Sequence, residues 1–588
     1  MKWKKREIIP SEYDYIDDGS PITRICQVRD IDPNNLQDFF EPTQAMENDA
    51  SLLRNGEKAS RRIAQAILSG ENIVSDADID TDGITANTLL IRVLKEQYDV
   101  ENIEYTYMQK EGGHGIYSKV HQPERRDFLH PLVEENKKKI ENCDLLIISD
   151  SSTSDLKGLQ YIKNNYDCDI IILDHHAFDQ SENGTLTVAD EVDELAIVVN
   201  PQHPDDMYPN KHLSGVGVVY KTLQLVDKYF VEQYDMLAKN LEQYLDLVAT
   251  GMVADMMSVR EPENRYYIIQ GLRNINNPGL FRILKGGNCN VKDPSTTDVG
   301  YTVAPLINAS ARMGQIELAL ELLLVDNDKE AKPLRLKMHK LNESRKDEQS
   351  KLEDYFLEKV DPTQKIIIIV DDEFKATGGF RGLVAQTIAM KYQRPCFIIS
   401  HVASQGVYGG SGRSYAGFDT NVFLTESGLA QAQGHAGAHG VTIPEENLDK
   451  LIKYCNDNMP DLEDVALVYD LEIDASEYLE YMELSERFNH IAGAGFERIL
   501  FRVNNINLLE TDIIGSKQNT FKAQTAENLE LIKFKIDGNT YGKELDFMDT
   551  VDAIGELSIN VWFQRIKGGG YQKNEIPQLR MEDYRLHE

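Results

Sequence analysis

The chain has 588 residues, 41% hydrophobic and 27% charged, which describes ordinary globular protein too long for one domain; about three to five is the prior. Sixty-two Lys and Arg against 97 Asp and Glu leave a formal charge of −35, excluding a uniformly basic nucleic-acid coat but not a local basic channel or carboxylates gathered around divalent metal. No apolar run reaches the ~18 residues of a membrane span, and the N-terminus MKWKKREIIPSEYDYIDDG lacks the apolar stretch of a signal peptide. The six cysteines (Cys26, Cys143, Cys168, Cys289, Cys396, Cys455) are scattered with no C-x-x-C pair, which predicts reduced thiols, a cytoplasmic chain and no zinc ribbon.

Residues 1–60 are acidic and Asn/Pro-rich with little period, and read as an N-terminal cap. Over 61–290, helices at 59–68 and 84–98 alternate with short apolar runs: GENIVSDAD, DLLIISD (144–150), DIIILDHH (169–176) and AIVVNP (196–201). That alternation predicts an α/β domain with a parallel sheet covered on both faces, whose ligands sit at the carboxyl ends of the strands. Helices dominate 204–290. Residues 291–360 read as a linker ending in a long, solvated connecting helix, 326–360. The strand KIIIIVDDE (365–373) opens a second α/β domain, 361–460, with the glycine-rich loops ATGGFRG, YGGSGRS and QGHAGAHG. Short separated β-like runs over 465–588 predict a small all-β domain.

Chemistry concentrates at the predicted strand ends. Asp76, Asp78, Asp80 and Asp82 place four carboxylates in seven residues, and without a cation they would repel one another. An acidic surface loop is one alternative. An EF-hand calcium loop is another, but its twelfth position counted from Asp78 is Leu89 rather than glutamate. Asp150 ends one apolar run and Asp174-His175-His176 another; Asp255 follows the apolar stretch of LVATGMVADMMS, where alone it would read as a helix cap. Histidine among several carboxylates suits manganese or a similar divalent ion.

The ordered set DxDxDG, strand-terminal Asp, Asp-His-His and GMVAD resembles the DHH phosphoesterase superfamily, and within it the RecJ-type single-strand-specific 5′→3′ exonucleases. EGGHGIYSK, NPQHPDDMYPNKHLSGVGVVYK, PENRYYIIQGL and PLINASARMG are similar to family segments in the same order. GSGRS and QGHAGAHG resemble the DHH-associated (DHHA1) domain, and DAIGELSINVWF with PQLRMEDY the OB domain. The resemblance implies a two-metal site, manganese favoured and magnesium admitted. One ion would take Asp76, Asp80 and Asp150, the other Asp82, Asp150, His175 and Asp255. His176 would act on the leaving side and, with Asp150, carry the catalysis. Asp76 departs from the family, which often has histidine there. Asp78 and Asp174 would stand behind the ligands.

The GGSGRS segment offers backbone N–H groups and a guanidinium to an anion, and the resemblance implies a clamp for the 5′ end from Ser411, Gly412, Arg413 and Ser414 with Arg312 and His435. Lys110 stands near a family arginine and would keep the charge without the fork. On the connecting helix, Lys332, Arg335, Lys337, Lys340, Arg345 and Lys346 would guide phosphates if they border the cleft. Phe534 and Trp562 are candidate stacking residues of the β domain, but read more readily as core. The implied function is 5′→3′ hydrolysis of single-stranded DNA in repair, recombination or replication, in a bacterial or phage-infected cell, with single-strand-binding protein or a helicase as candidate partners. The acidity and drifted motifs suit a phage or prophage copy. Two alternatives are a phosphodiesterase of short oligonucleotides or cyclic dinucleotides, which would not need the C-terminal domain, and a non-enzymatic replication scaffold, which would have lost its metal ligands.

Overall fold

The computed structural model describes all residues except 1, 10, 12, 16–17, 110–114, 122–129, 180–187, 404, 436, 463–464, 516, 567–570 and 588. It divides into two compact units, residues 46–463 and residues 1–45 with 464–588.

The larger unit opens with helix α1 (Gly56–Ser69), strand β1 (Ile73–Asp76), helix α2 (Thr81–Tyr98) and strand β2 (Ile103–Thr106). Strands β3 (Leu145–Ser149), β4 (Asp169–Leu173) and β5 (Ile197–Val199) complete a five-stranded, wholly parallel sheet of order β2-β1-β3-β4-β5. The runs IVSD and LLIIS are buried at every residue, as a sheet with two covered faces requires. One face, Val74, Leu146, Ile148, Ile170 and Ile172, packs on Ile116, Val120, Ile140, Leu159 and Ile162. The other meets α2 and α3 (Gly215–Tyr234). The strand order reverses between β1 and β3, so the crevice for a ligand opens at their carboxyl ends.

Helix α4 (Leu245–Ala254) packs against α2 and α3. Helix α5 (Ala304–Arg312) leads to α6 (Asp328–Leu357), the predicted connecting helix. It is not solvated all round: Ala331, Met338, Asn342, Leu352 and Phe356 form a narrow buried stripe against neighbouring helices. Beyond it, β6 (Ile367–Val370), α7 (Gly378–Tyr392), β7 (Cys396–Val402), β8 (Val407–Arg413), β9 (Gln431–His435) and β10 (Ala438–Pro444) form a second sheet of order β9-β10-β8-β7-β6. Only β6 and β7 run parallel; the rest is antiparallel.

This corrects the predicted glycine loops. YGGSGR is strand β8, QAQGH and AHGVTIP are strands β9 and β10, and ATGGFRG is the start of α7. The glycines of β8 serve close packing. A Cβ on Gly410 would lie 2.1 Å from the Ile398 carbonyl oxygen, and one on Gly412 would lie 2.2 Å from the Phe397 ring.

The smaller unit divides the predicted cap: residues 1–45 fold with the C-terminal segment, while 46–60 belong to the larger unit. Trp3–Lys5 pairs in parallel with Leu467–Tyr469, and the buried Arg29 guanidinium meets the buried Asp470 carboxylate at 2.7 Å. Strands Phe501–Ile514, Thr520–Thr525, Glu530–Phe534, Tyr571–Leu586 and Thr550–Arg565 pair in that order, and the last pairs back on the first, closing a five-stranded barrel. Phe534 and Trp562 are not core; they are 53% and 39% exposed. Phe534 ends its strand, and Trp562 lies on the outer part of the 550–586 hairpin, which pairs with no third strand among the described residues.

All six cysteines are free thiols. Among the described residues no helix is long and apolar enough to cross a membrane.

Candidate active site

The carboxyl ends of β1, β3 and β4 bring together residues 78–82, Asp150 and Asp174–His176. Asp80 caps α2, its Oδ1 accepting from Gly83 N–H (3.1 Å). That turn projects Asp82 toward the N-terminus of α3, where Gly215 and Val216 N–H donate to its two oxygens (2.6 and 3.3 Å). Asp150 adopts φ 61°, a left-handed conformation that costs a non-glycine residue about 1–2 kcal/mol. Its N–H is held by the Leu173 carbonyl (2.9 Å).

Two glycines of the sequence motifs make room for these carboxylates. A Cβ on Gly215 would fall 2.4 Å from Asp150 Cβ, and one on Gly251 2.4 Å from Asp82 Oδ1. The motifs SGVGV and ATGMVAD are thus the floor on which the acidic residues rest.

Three groups offer ligand atoms within 4.8 Å of one another: Asp78, Asp80 and Asp150; Asp82, His175 and Asp255; and Asp150, Asp174, His175 and His176. His175 Nε2 lies 3.2 Å from Asp150 Oδ1, 3.3 Å from Asp255 Oδ2 and 3.9 Å from Asp82 Oδ2. Asp150 Oδ1 is buried and accepts no hydrogen bond among the described residues. Burial, then the charges of Asp82, Asp80, Asp78 and Asp255, push the Asp150 carboxyl well above the ordinary range. Burial, then the charges of Asp82 and Asp80, push Asp255 up to about 8. A cluster so rich in carboxylates, built of oxygen donors and imidazole, fits divalent metal of the manganese or magnesium kind.

Asp76 is corrected. It is fully buried below this cluster, where Lys119 Nζ lies 2.7 Å from its Oδ2 and Thr106 Oγ1 donates to its Oδ1 (2.6 Å). Asp78, expected to stand behind the ligands, takes its place beside Asp80 and Asp150. The reason is that the strand ends at Asp76: alternation would put Asp76 and Asp78 on one side, but it stops where the chain leaves β1 for the turn before α2.

Asp174 accepts from the N–H groups of Thr153, His175 and His176, and its Oδ1 lies 2.7 Å from His176 Nδ1. Burial alone would raise this carboxyl, but the two histidines and these bonds hold it below the usual carboxylate range. In turn, Asp174 pushes His176 up to about 10. The half-exposed His176 ring, with Asp78, Asp80 and Asp150, lines an open cleft of about 610 Å³.

A second constellation is cationic. Arg312 ends α5, Arg345 projects from α6 and Arg413 ends β8. Burial first, then the charges of Arg345 and Arg413, lower the Arg312 pKa, and Asp80 opposes them, so Arg312 lies within electrostatic reach of both guanidiniums and of one carboxylate of the acidic cluster. Each is held by neutral acceptors: Arg312 by the Gly379 carbonyl (2.6 Å), Arg345 by Asn342 (2.9 Å) and Gln349 (2.7 Å), Arg413 by the Gly412 carbonyl (2.7 Å). None of the three forms an ion pair among the described residues. A Cβ on Gly382 would fall 2.3 Å from the Arg413 guanidinium, so that side chain lies against the first turns of α7, whose N-terminus also favours an anion.

Ser411 shares a strand face with Arg413. Gly412, expected to contact the phosphate, is buried in the sheet between Phe397 and His439. The Ser414 hydroxyl is hydrogen-bonded to Thr420 Oγ1. Lys110 lies outside the described residues, as does the side chain of His435, whose backbone pairs with Ala438. Arg345 is hidden in the sequence among the many charges of its helix; what distinguishes it is that its charge reaches Arg312.

Residues 72–252 match the DHH family, N-terminal domain. The chain is 27% identical to the putative SPbeta prophage-derived single-strand DNA-specific exonuclease YorK of Bacillus subtilis (strain 168), over 97% of each chain. It is 26% identical to the single-stranded-DNA-specific exonuclease RecJ of the same organism, over 94% of this chain and 65% of that one. The solved structure of RecJ in complex with Mn2+ from Thermus thermophilus matches with a TM-score of 0.71 at 22% identity, covering 97% of this chain and 76% of that chain, a likeness of fold. Over residues 72–252 the chain thus matches the N-terminal domain of the DHH family, and over nearly its whole length it is similar in sequence to these exonucleases and in fold to RecJ.

Proposed function

We propose that the protein is a single-strand-specific 5′→3′ DNA exonuclease that hydrolyses phosphodiester bonds with divalent metal. The observation that carries this reading is one compact unit holding both a carboxylate–histidine cluster and three arginines, Arg312, Arg345 and Arg413, that form no ion pair among the described residues, Arg312 lying within electrostatic reach of Asp80. The first suits a phosphodiester under attack, the second a terminal phosphate.

Asp78, Asp80 and Asp150 would hold one ion, and Asp82, Asp150, His175 and Asp255 the other. Bound there, two divalent cations supply charge neutralisation of the phosphate, a nucleophile drawn from water and stabilisation of the leaving oxygen. Asp174, whose Oδ1 lies 2.7 Å from His176 Nδ1, would orient that ring, and His176, lining the cleft, would act on the leaving oxygen. Arg312, Arg345 and Arg413, with Ser411 and the N-terminus of α7, would bind the 5′-phosphate and fix which bond lies over the carboxylates. With Asp78 in place of Asp76 the ligand number would be unchanged, which disfavours the scaffold alternative. Single-strand-binding protein or a helicase as partners, and a cytoplasmic setting, belong to the same proposal.

The test is degradation of end-labelled single- and double-stranded DNA with Mn2+, Mg2+ or chelator. Metal-dependent release of nucleotides from the 5′ end of single strands is expected. Release from the 3′ end, or turnover in chelator, would refute the proposal.

A further inference from the structure

The motif EGGHGIYSK has no part in the two sites above, yet its described end, helix Gly115–Val120, touches both loops that carry the metal-site carboxylates. On one side, the fully buried Lys119 Nζ lies 2.7 Å from Asp76 Oδ2 and donates to the Ala77 carbonyl (2.8 Å), gripping the strand end just before Asp78 and Asp80. On the other, Ser152 Oγ accepts from Ile116 N–H (3.1 Å) and Asp155 Oδ2 from Tyr117 N–H (2.8 Å), gripping the loop that follows Asp150. Asp155 also takes Gly158 N–H (3.0 Å) at the start of the next helix. Gly115 and Gly158 flank it: a Cβ on either would fall within 2.7 Å of Asp155 Oδ2. The helix is therefore tied by side chains to the two backbones whose separation sets how far Asp78 and Asp80 stand from Asp150.

We infer that Lys119 and Asp155 are positioning residues of the metal site: through the helix Gly115–Val120 they hold the Asp76–Asp80 and Asp150–Asp155 loops at the spacing divalent metal requires. The inference rests on the reading that these carboxylates bind metal. An ammonium is suited to the task because it bonds two acceptors of one strand end at once while offsetting the buried Asp76 charge.

The experiment is equilibrium Mn2+ binding to the full chain, by calorimetry and by the spin-resonance signal of free Mn2+, with melting temperature measured in chelator. Lys119→Met alone strands the buried Asp76 carboxylate and risks misfolding. The informative variant is therefore the neutral pair Asp76→Asn with Lys119→Met, accompanied by Asp155→Asn. Both are expected to stay folded and to bind Mn2+ at least about tenfold more weakly than the unmodified protein, with the loss appearing in binding itself and not only in turnover. Folded variants that bind Mn2+ as the unmodified protein does would overturn the inference and leave Lys119 a mere counter-charge. If the unmodified protein binds no Mn2+, it is the metal reading that fails.

Discussion

Replacing Arg413 with alanine separates end recognition from chemistry. The guanidinium is held only by the Gly412 carbonyl among the described residues and lies against Gly382 of α7, so its removal strands no carboxylate and touches no metal-site residue. A charge-assisted hydrogen bond to a phosphate is worth about 1.5–3 kcal/mol net. Removing one such bond converts to about tenfold to a hundredfold in kcat/KM on 5′-phosphorylated single strands. On 5′-hydroxyl ends the dianion is already missing, and the drop should be smaller. Arg413→Lys should fall between, since it keeps the charge but not the fork. The measurement is kcat/KM for the three proteins on the two end chemistries, with Mn2+ affinity and melting temperature as controls. An equal drop on both ends would refute the end-binding assignment and make Arg413 a general backbone contact or a support of the fold.

Asp150→Asn should abolish hydrolysis and yet raise the melting temperature in chelator, because the folded state pushes this carboxyl well above its unfolded value and its ionised form is therefore destabilising at neutral pH. For a unit spanning residues 46–463 each kcal/mol so relieved is worth about 1 °C, and an unchanged or lower melting temperature would count against the crowded-carboxylate picture. Manganese should support higher rates than magnesium at matched concentration, since imidazole suits transition metals and Mg2+ prefers oxygen; equal rates would argue against His175 as a ligand. Gly412→Ala should destabilise the protein by about 1–3 kcal/mol, its Cβ falling on the Phe397 ring, while the discrimination between 5′ ends survives in the folded fraction. Asp470→Ala should cost about 3–5 kcal/mol in denaturant unfolding by removing the buried counter-charge of Arg29 and the acceptor of Leu500 N–H; a change under about 1 kcal/mol would mean that residues 1–45 are not held by this pair.

What the sequence by itself determined is what local pattern encodes. The apolar runs LLIIS and DIIIL could only be strands of a sheet covered on both faces, and the rule for such sheets placed Asp150 and Asp174–His176 at one end before any coordinate. The ordered motifs extended that reading to the family. What it left open depends on direction and on distant partners. Whether Asp76 or Asp78 enters the metal cluster turns on where β1 ends and on Lys119, 43 residues away in the chain. Glycine runs look alike as loops and as strands; only the neighbours of Gly410 and Gly412 made YGGSGR a strand, because there a Cβ would collide. Arg345 could be told from the other cations of its helix only by the reach of its charge to Arg312, and residues 1–45 found their place only through pairing with a segment more than four hundred residues on. Period and composition act within a few residues and are written in the sequence; the side a carboxylate faces, and the charge it meets there, are settled by contacts that exist only once the chain has folded.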